Sequence, residues 1–309
     1  MDKFVIVYEP SLEHYMVEYL NSLRSVGVCA RTYYQVGGND PRRRIYLQNL
    51  LVSSEDTYIC NTEQMTTDTW NSNTNAILNY DIIQRLFFMD YSVCNLAQLK
   101  LLPNYEDAKE KLRLYHLPYC YNKEEIEKLR KLLDSNEKVY DVGMIGVYEP
   151  RRMMILQQLR DAGLKVNAIN CYGHNRDVEM SKCKVLVNVH IRHDYTIFEE
   201  IRCMRWWYCG VPVFSETSTF QELLDVGHYI TWAPLETLAS VVVDYIEKGV
   251  GGVMETVDEK IIEKIALGRK KSVEDTFKEL EMALTTGDQC ATTTTGNTLS
   301  QDYCEHSTA

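Results

Sequence analysis

Basic charge is scarce in this chain: 33 lysines and arginines stand against 44 aspartates and glutamates, a formal net charge of −11 over 309 residues. Sheathing a nucleic acid or anchoring to an anionic membrane needs a basic footprint, so neither is expected. Long apolar runs are also missing, and none nears the roughly 20 residues of a membrane span. The opening MDKFVIVYEP enters an apolar strand at once, without the longer apolar stretch of a signal peptide, so a cytoplasmic location is expected. Ten cysteines stand singly, with no CxxC pair and no histidine spacing suited to structural zinc, which reads as free thiols in a reducing compartment. No GxGxxG follows the first strand of either half, which disfavours a redox Rossmann enzyme.

What is present is a hydrophobic content of 45%, enough for a sizeable core, and length enough for two domains. Residues 4–8 (FVIVY) are continuously apolar, as in a strand buried on both faces, and residues 11–25 follow with helical spacing. Further expectations are a helix at 43–52, a strand at 57–60, a helix at 76–86, a helix or strand at 85–89 and a helix start at 95–101. After a charged helix or linker at 122–137, a clearer series begins: strand 139–145, helix 152–162, strand 166–169, a short connection, strand 185–189, helix 197–208, strand 211–214, helix 220–225, strand 229–232 and helix 235–248. This alternation favours doubly wound α/β sheets. The expected division is a first Rossmann-like domain at 1–121, a linker at 122–138, a second Rossmann-like domain at 139–254, C-terminal helices at 255–285 and a disordered tail at 286–309, where a threonine tract leaves little to bury.

In open parallel sheets, ligands bind beyond the carboxyl ends of the strands, and the polar clusters of this chain fall at such ends. GVYEPRR at 146–152 places Gly146 where backbone can approach a ligand and Arg151 and Arg152 at a helix start, where a phosphate meets unpaired N–H groups. CYGHNR at 171–176 reads either as an ordinary turn or as a site in which Gly173 makes a sharp turn and Tyr172 and Asn175 hold a ring or a hydroxyl. NVHIRHDYTIFEE at 188–200 brings His190 to a strand end, and Glu199 and Arg202, three apart, share one helical face. GVPVFSE at 210–216 ends in Ser215 and Glu216, the latter placed to accept ribose hydroxyls. Tryptophans 206 and 207 read as core. In the first half, Glu13 and His14 follow the first strand, either as ordinary helix-start residues or as a base facing the cleft. CNTEQ at 60–64 and MDYSVCN at 89–95 supply Asn61, Glu63, Gln64, Asp90, Tyr91, Ser92 and Asn95 as acceptor-side candidates. Tyr33, Tyr34 and Trp70 would also suit a carbohydrate.

The segments CNTEQ, MDYSVCN, HLPYCYN, DVGMIGVYEPRR, NVHIRHDYTIFEEIR and CGVPVFSE, in this order, resemble those of GT-B-type glycosyltransferases, in particular bacterial and large-virus enzymes related to the spore-coat and lipopolysaccharide transferases. The resemblance covers about residues 1 to 250. It implies two Rossmann-like halves facing a cleft and a C-terminal helix crossing back to the first. It further implies sugar transfer from a nucleotide-sugar donor, held by the second half, to a glycan acceptor, held by the first. Such enzymes work without a bound metal or other cofactor, using helix N-termini and basic side chains for the leaving diphosphate. The absence of an Asp-x-Asp triplet agrees. By position, Gly146, Arg151 and Arg152 would lie near the diphosphate, Tyr172 and its loop near the base, and Glu199, Arg202 or Glu216 near ribose and phosphate.

One departure is plain. Where many retaining members carry a ribose-binding glutamate five residues before the glycine of the CGVPV-like turn, this chain has Arg205, and eight residues earlier it has Ile197. Ribose binding is then reassigned to Glu216 or Glu199, and an inverting base to Glu13 or His14. A nucleotide-sugar epimerase and an inactive nucleotide-sugar-binding protein are the alternatives, since fold alone does not fix activity.

Overall fold

The computed structural model describes residues 1–48, 56–248 and 258–287. The first half contains β1 (Phe4–Tyr8), α1 (Glu13–Ser25), β2 (Ala30–Thr32), β3 (Arg43–Leu47), β4 (Asp56–Asn61), α2 (Asp68–Leu78), β5 (Arg85–Asp90), α3 (Val93–Leu99), α4 (Tyr105–Ala108) and β6 (Leu112–His116). Its six strands pair in the order β2-β1-β3-β4-β5-β6, every pairing parallel. All five residues of β1 are buried, as an apolar strand covered by helices on both faces must be.

Helix α5 (Lys123–Ser135) leads to the second half: β7 (Tyr140–Ile145), α6 (Pro150–Asp161), β8 (Val166–Ile169), α7 (Gly173–Ser181), β9 (Cys183–Asn188), α8 (Glu200–Trp207), β10 (Val213–Glu216), β11 (Thr231–Ala233) and α9 (Leu235–Glu247). These strands form a second parallel sheet, β11-β10-β9-β7-β8. Its order reverses at β7, which has β8 on one side and β9 on the other. Such a reversal opens a crevice between the loops that leave β7 and β9. In the first sheet the reversal lies between β1 and β3.

The two sheets do not have separate interiors. One apolar cluster runs from Phe4, Tyr58 and Phe87 of the first sheet to Trp206 and Trp207 of α8 and Tyr208 just after it. The last helix, α10 (Glu259–Gly287), follows the second sheet in the chain but packs on the first, with Phe277 edge-on to Phe4 at 5.9 Å. Arg269 of α10 ties the halves together: its Nη2 lies 2.7 Å from Glu200 of α8 and 2.6 Å from Asp225, while Nη1 donates to the Tyr119 carbonyl at 3.1 Å. Among the described residues no helix is long and apolar enough to cross a membrane.

Several sequence expectations need correction. The helix expected at 43–52 is strand β3 over Arg43–Leu47, and residues 49–52 lie outside the described residues. Ile45 and Leu47 of β3 are buried while the arginines before them are not, so a short strand with a charged start imitated helical spacing. The helix placed at 76–86 is α2, which ends at Leu78, and 85–89 is strand. The short connection after β8 is a helix, α7, and the helix expected at 220–225 is a single 3-10 turn. The tail expected to be disordered at 286–309 falls, from residue 288, outside the described residues.

Candidate functional site

The carboxyl ends of both sheets open onto one cavity of about 240 Å³, lined from the first half by Tyr15, Glu63, Gln64 and Tyr91 and from the second by Gly146, Arg152, Tyr172, Glu199 and Arg202. Strand β7 ends at Ile145, and Gly146 turns the chain with φ +131°, a conformation open to glycine. A Cβ there would sit 2.6 Å from Nη1 of Arg152, so the absence of a side chain is what lets the guanidinium lie against the turn. Arg152 is 2% exposed. Its Nε donates to the Val189 carbonyl at 3.0 Å and Nη1 to the Val147 carbonyl at 3.3 Å, while its buried Nη2 has no partner.

Arg202 reaches the same cavity from α8, aimed by Asn188, whose Oδ1 accepts from its Nη1 at 3.0 Å. Asn188 is itself fixed, donating to Ser215 Oγ at 3.0 Å. Burial, then the charge of Arg202, pulls the Arg152 guanidinium down to about 10, which still leaves it cationic at neutral pH. Arg152, with an unused buried N–H group, and Arg202, whose Nη2 lies 3.8 Å from Glu199, thus bring positive charge to the cavity at the strand-order reversal.

The remaining second-half candidates support the site from behind. Arg151 is paired with Glu216, whose Oε2 also accepts the His190 backbone N–H at 3.1 Å, so this carboxylate is occupied and does not line the cavity. His190 is buried, which lowers its pKa; Nε2 lies 3.2 Å from Ser218 Oγ and 3.3 Å from the Thr217 carbonyl. Ser215 is buried and donates to the Glu216 carbonyl. Tyr172 stands at the mouth, edge-on to Tyr15 across the halves at 5.2 Å. Gly173, at φ +57°, opens α7, and Asn175 is exposed and outside the lining.

In the first half, Asn61 and Asp90 are scaffold and do not line the cavity. Asp90 is fully buried, accepting from Asn61 at 2.6 Å, Asn95 at 3.0 Å and the Ser92 N–H at 2.8 Å. Both asparagines also donate to the Glu63 carbonyl, at 2.7 and 2.9 Å, and so fix the loop that carries Glu63. The Glu63 carboxylate accepts from Gln48 at 2.9 Å, and burial followed by the nearby Glu199 charge pushes it up to about 7. Tyr91 is 1% exposed and lines the cavity beside it.

Glu13 and His14 are exposed on the first turn of α1 and do not line the cavity. The residues of α1 that do are Tyr15, Met16 and Glu18, with Tyr15 and Glu18 three apart on one face. That face was available in the helical period of the sequence, but which side of α1 meets the other half was not. Arg176 of α7 also lines the cavity and pairs with Glu18 at 2.6 Å. Arg205 is outside the lining: its side chain is 4% exposed and lies 2.7 Å from both Asp177 and Glu125. Among the described residues no three His, Cys, Asp or Glu side chains gather closely enough to hold a metal ion.

No family model matches the chain. It is similar to proteins of Acanthamoeba polyphaga mimivirus. It is 41% identical over 136 residues to "Uncharacterized protein L138", a match covering 43% of this chain and 15% of that protein. It is 33% identical over 237 residues to "Uncharacterized protein L137", covering 75% of this chain and 30% of that protein. With "Uncharacterized protein L140" the identity is 28% over 276 residues, covering 86% of this chain and 84% of that protein. The chain thus spans 15% and 30% of the first two relatives and most of the length of the third.

Proposed function

We propose that the protein is a GT-B-type glycosyltransferase, moving a sugar from a nucleotide-sugar donor to a hydroxyl of a carbohydrate acceptor. The observation that carries this reading is the buried, half-unpartnered Arg152 beside Arg202 at the second sheet's reversal, facing the Glu63 carboxylate of the first sheet across the same cavity. A diphosphate meets the unused N–H of Arg152 and the charge of Arg202, so the leaving group is stabilised by side chains rather than by a metal. Of the two carboxylates only Glu199 lines the cavity, its Oε1 accepting from Gln64 at 2.5 Å and its Oε2 3.8 Å from Arg202, so the donor hydroxyls are assigned to Glu199 and not to Glu216. Tyr172 and its loop, at the mouth, take the base.

On the acceptor side Glu63 replaces Glu13 and His14 as the base. A carboxyl held near pH 7 is matched to taking a proton at physiological pH. The acceptor oxygen gives its proton to Glu63 and bonds to the anomeric carbon, while the bond from that carbon to the diphosphate oxygen breaks and the nucleoside diphosphate leaves. A single displacement of this kind inverts the anomeric centre.

The test is to incubate the purified protein with nucleotide sugars and oligosaccharide acceptors, following extended acceptor by mass spectrometry and its anomeric configuration by NMR. One donor class should give acceptor-dependent release of nucleoside diphosphate with inversion, and Glu63→Gln should lower kcat by about 100-fold or more. A retained configuration, or full activity in Glu63→Gln, contradicts the proposal.

A further inference from the structure

Gln64, the residue after the proposed base, is 2% exposed and directs its whole amide at the other half of the molecule. Its Oε1 accepts the Ile197 backbone N–H at 2.9 Å, and its Nε2 donates to the Ile197 carbonyl at 2.8 Å and to Glu199 Oε1 at 2.5 Å. One side chain thus pairs with both backbone groups of a residue 133 positions away, as a neighbouring strand would. Beside it, the Thr196 N–H donates to Thr66 Oγ1 at 3.3 Å, a single and longer contact.

A buried amide left without partners is costly, so Gln64 is satisfied only when the two halves stand in this register. Its neighbour Glu63 has its own carbonyl fixed by Asn61 and Asn95, and consecutive Cα atoms lie about 3.8 Å apart. Fixing Gln64 against Ile197 therefore fixes the Glu63 carboxylate against the donor half. We propose that Gln64 is a positioning residue that holds the acceptor-side base in register with the bound donor, so that turnover depends on it much more than donor binding does. The proposal rests on the transferase reading with Glu63 as base.

The experiment compares wild type, Gln64→Met and, as a control at the same contact, Thr66→Val, measuring donor Kd by calorimetry and kcat across pH. Gln64→Met should lower kcat about 10- to 100-fold, the scale of a misplaced reacting group, with donor Kd within about threefold of wild type. Glu63 is faced by Glu199, Tyr195 and Tyr91. Once its loop is loosened and better solvated, the acid limb of the kcat profile should move below its wild-type position. An amide that only stabilises the fold would lower Tm and leave that limb in place. Thr66→Val should stay within about threefold of wild type. Should Gln64→Met not accumulate as folded protein, Gln64→Asn, a shorter side chain that adds no charge beside Glu63 and Glu199, gives the same two readouts. A folded Gln64 variant with wild-type kcat and limb, or with a Kd loss as large as its kcat loss, overturns the positioning role alone. A wild-type protein that turns over no donor overturns the transferase reading as well.

Discussion

Glu63 carries a sign that can be checked in two ways. Its folded pKa, about 7, stands above the ordinary 4.5 because burial, and then Glu199, disfavours the charged form. As the proposed base it would act deprotonated, so kcat should rise with pH through about 7 and level above it. In stability the same shift works in the opposite direction: the contribution is fully present below about 4.5 and is lost as pH rises through about 7. Glu63→Gln should therefore raise the thermal midpoint at pH 8 and change it far less at pH 5, which scanning calorimetry at the two pH values reads directly. Gly146 gives a second residue-scale prediction. An alanine there meets both a positive φ and the Arg152 guanidinium at 2.6 Å, so Gly146→Ala should weaken nucleoside diphosphate binding about tenfold or more while leaving the fold intact by circular dichroism.

At the scale of elements, α10 is held by charge as well as by apolar contact. Arg269 is 2% exposed and Glu200 fully buried, so Arg269→Met leaves the Glu200 carboxyl buried without its cation, and the half-exposed Asp225 without its partner, and should cost about 3–5 kcal/mol in urea unfolding. Replacing both, Arg269→Met with Glu200→Met, should recover the part of that loss owed to the buried Glu200 carboxyl, while Asp225 and the Tyr119 carbonyl still lack their donor. The second half's alternation was legible because its strands are continuous apolar runs, and strand-end reasoning led to Gly146, Arg152, Glu199 and Arg202. β3 was misread because Arg43 and Arg44 occupy a strand that pairs on both sides, with β1 and β4. Helix α7 was missed because GHNRDVEMS has few apolar residues to show a period. Which strand-end groups face the cavity was not legible: Arg151 and Glu216 satisfy each other, as Asn61 and Asp90 do, and those pairings arise only once distant segments meet. The same holds for the charged segment around Trp206 and Trp207, where Glu199 and Arg202 face the cavity, Glu200 meets Arg269, and Arg205 joins Glu125 and Asp177.

For the whole molecule, the halves are joined by a shared apolar core, by α10, by Gln64 and by the Glu18–Arg176 and Arg205 ion pairs, and neither half alone completes the cavity between them. The proposed transfer calls for such a site, with the leaving group on one side of the cavity and the acceptor-side base on the other. The most direct test of the anion site is isothermal titration calorimetry of a set of nucleoside diphosphates and the matching nucleosides against wild type and Arg152→Ala, with chelator present. One nucleoside diphosphate should bind wild type one to one and stabilise it by about 2.7 kcal/mol at 100 times its Kd, and Arg152→Ala should lose that binding. Absence of nucleoside diphosphate binding by wild type, or equal binding by Arg152→Ala, would contradict it.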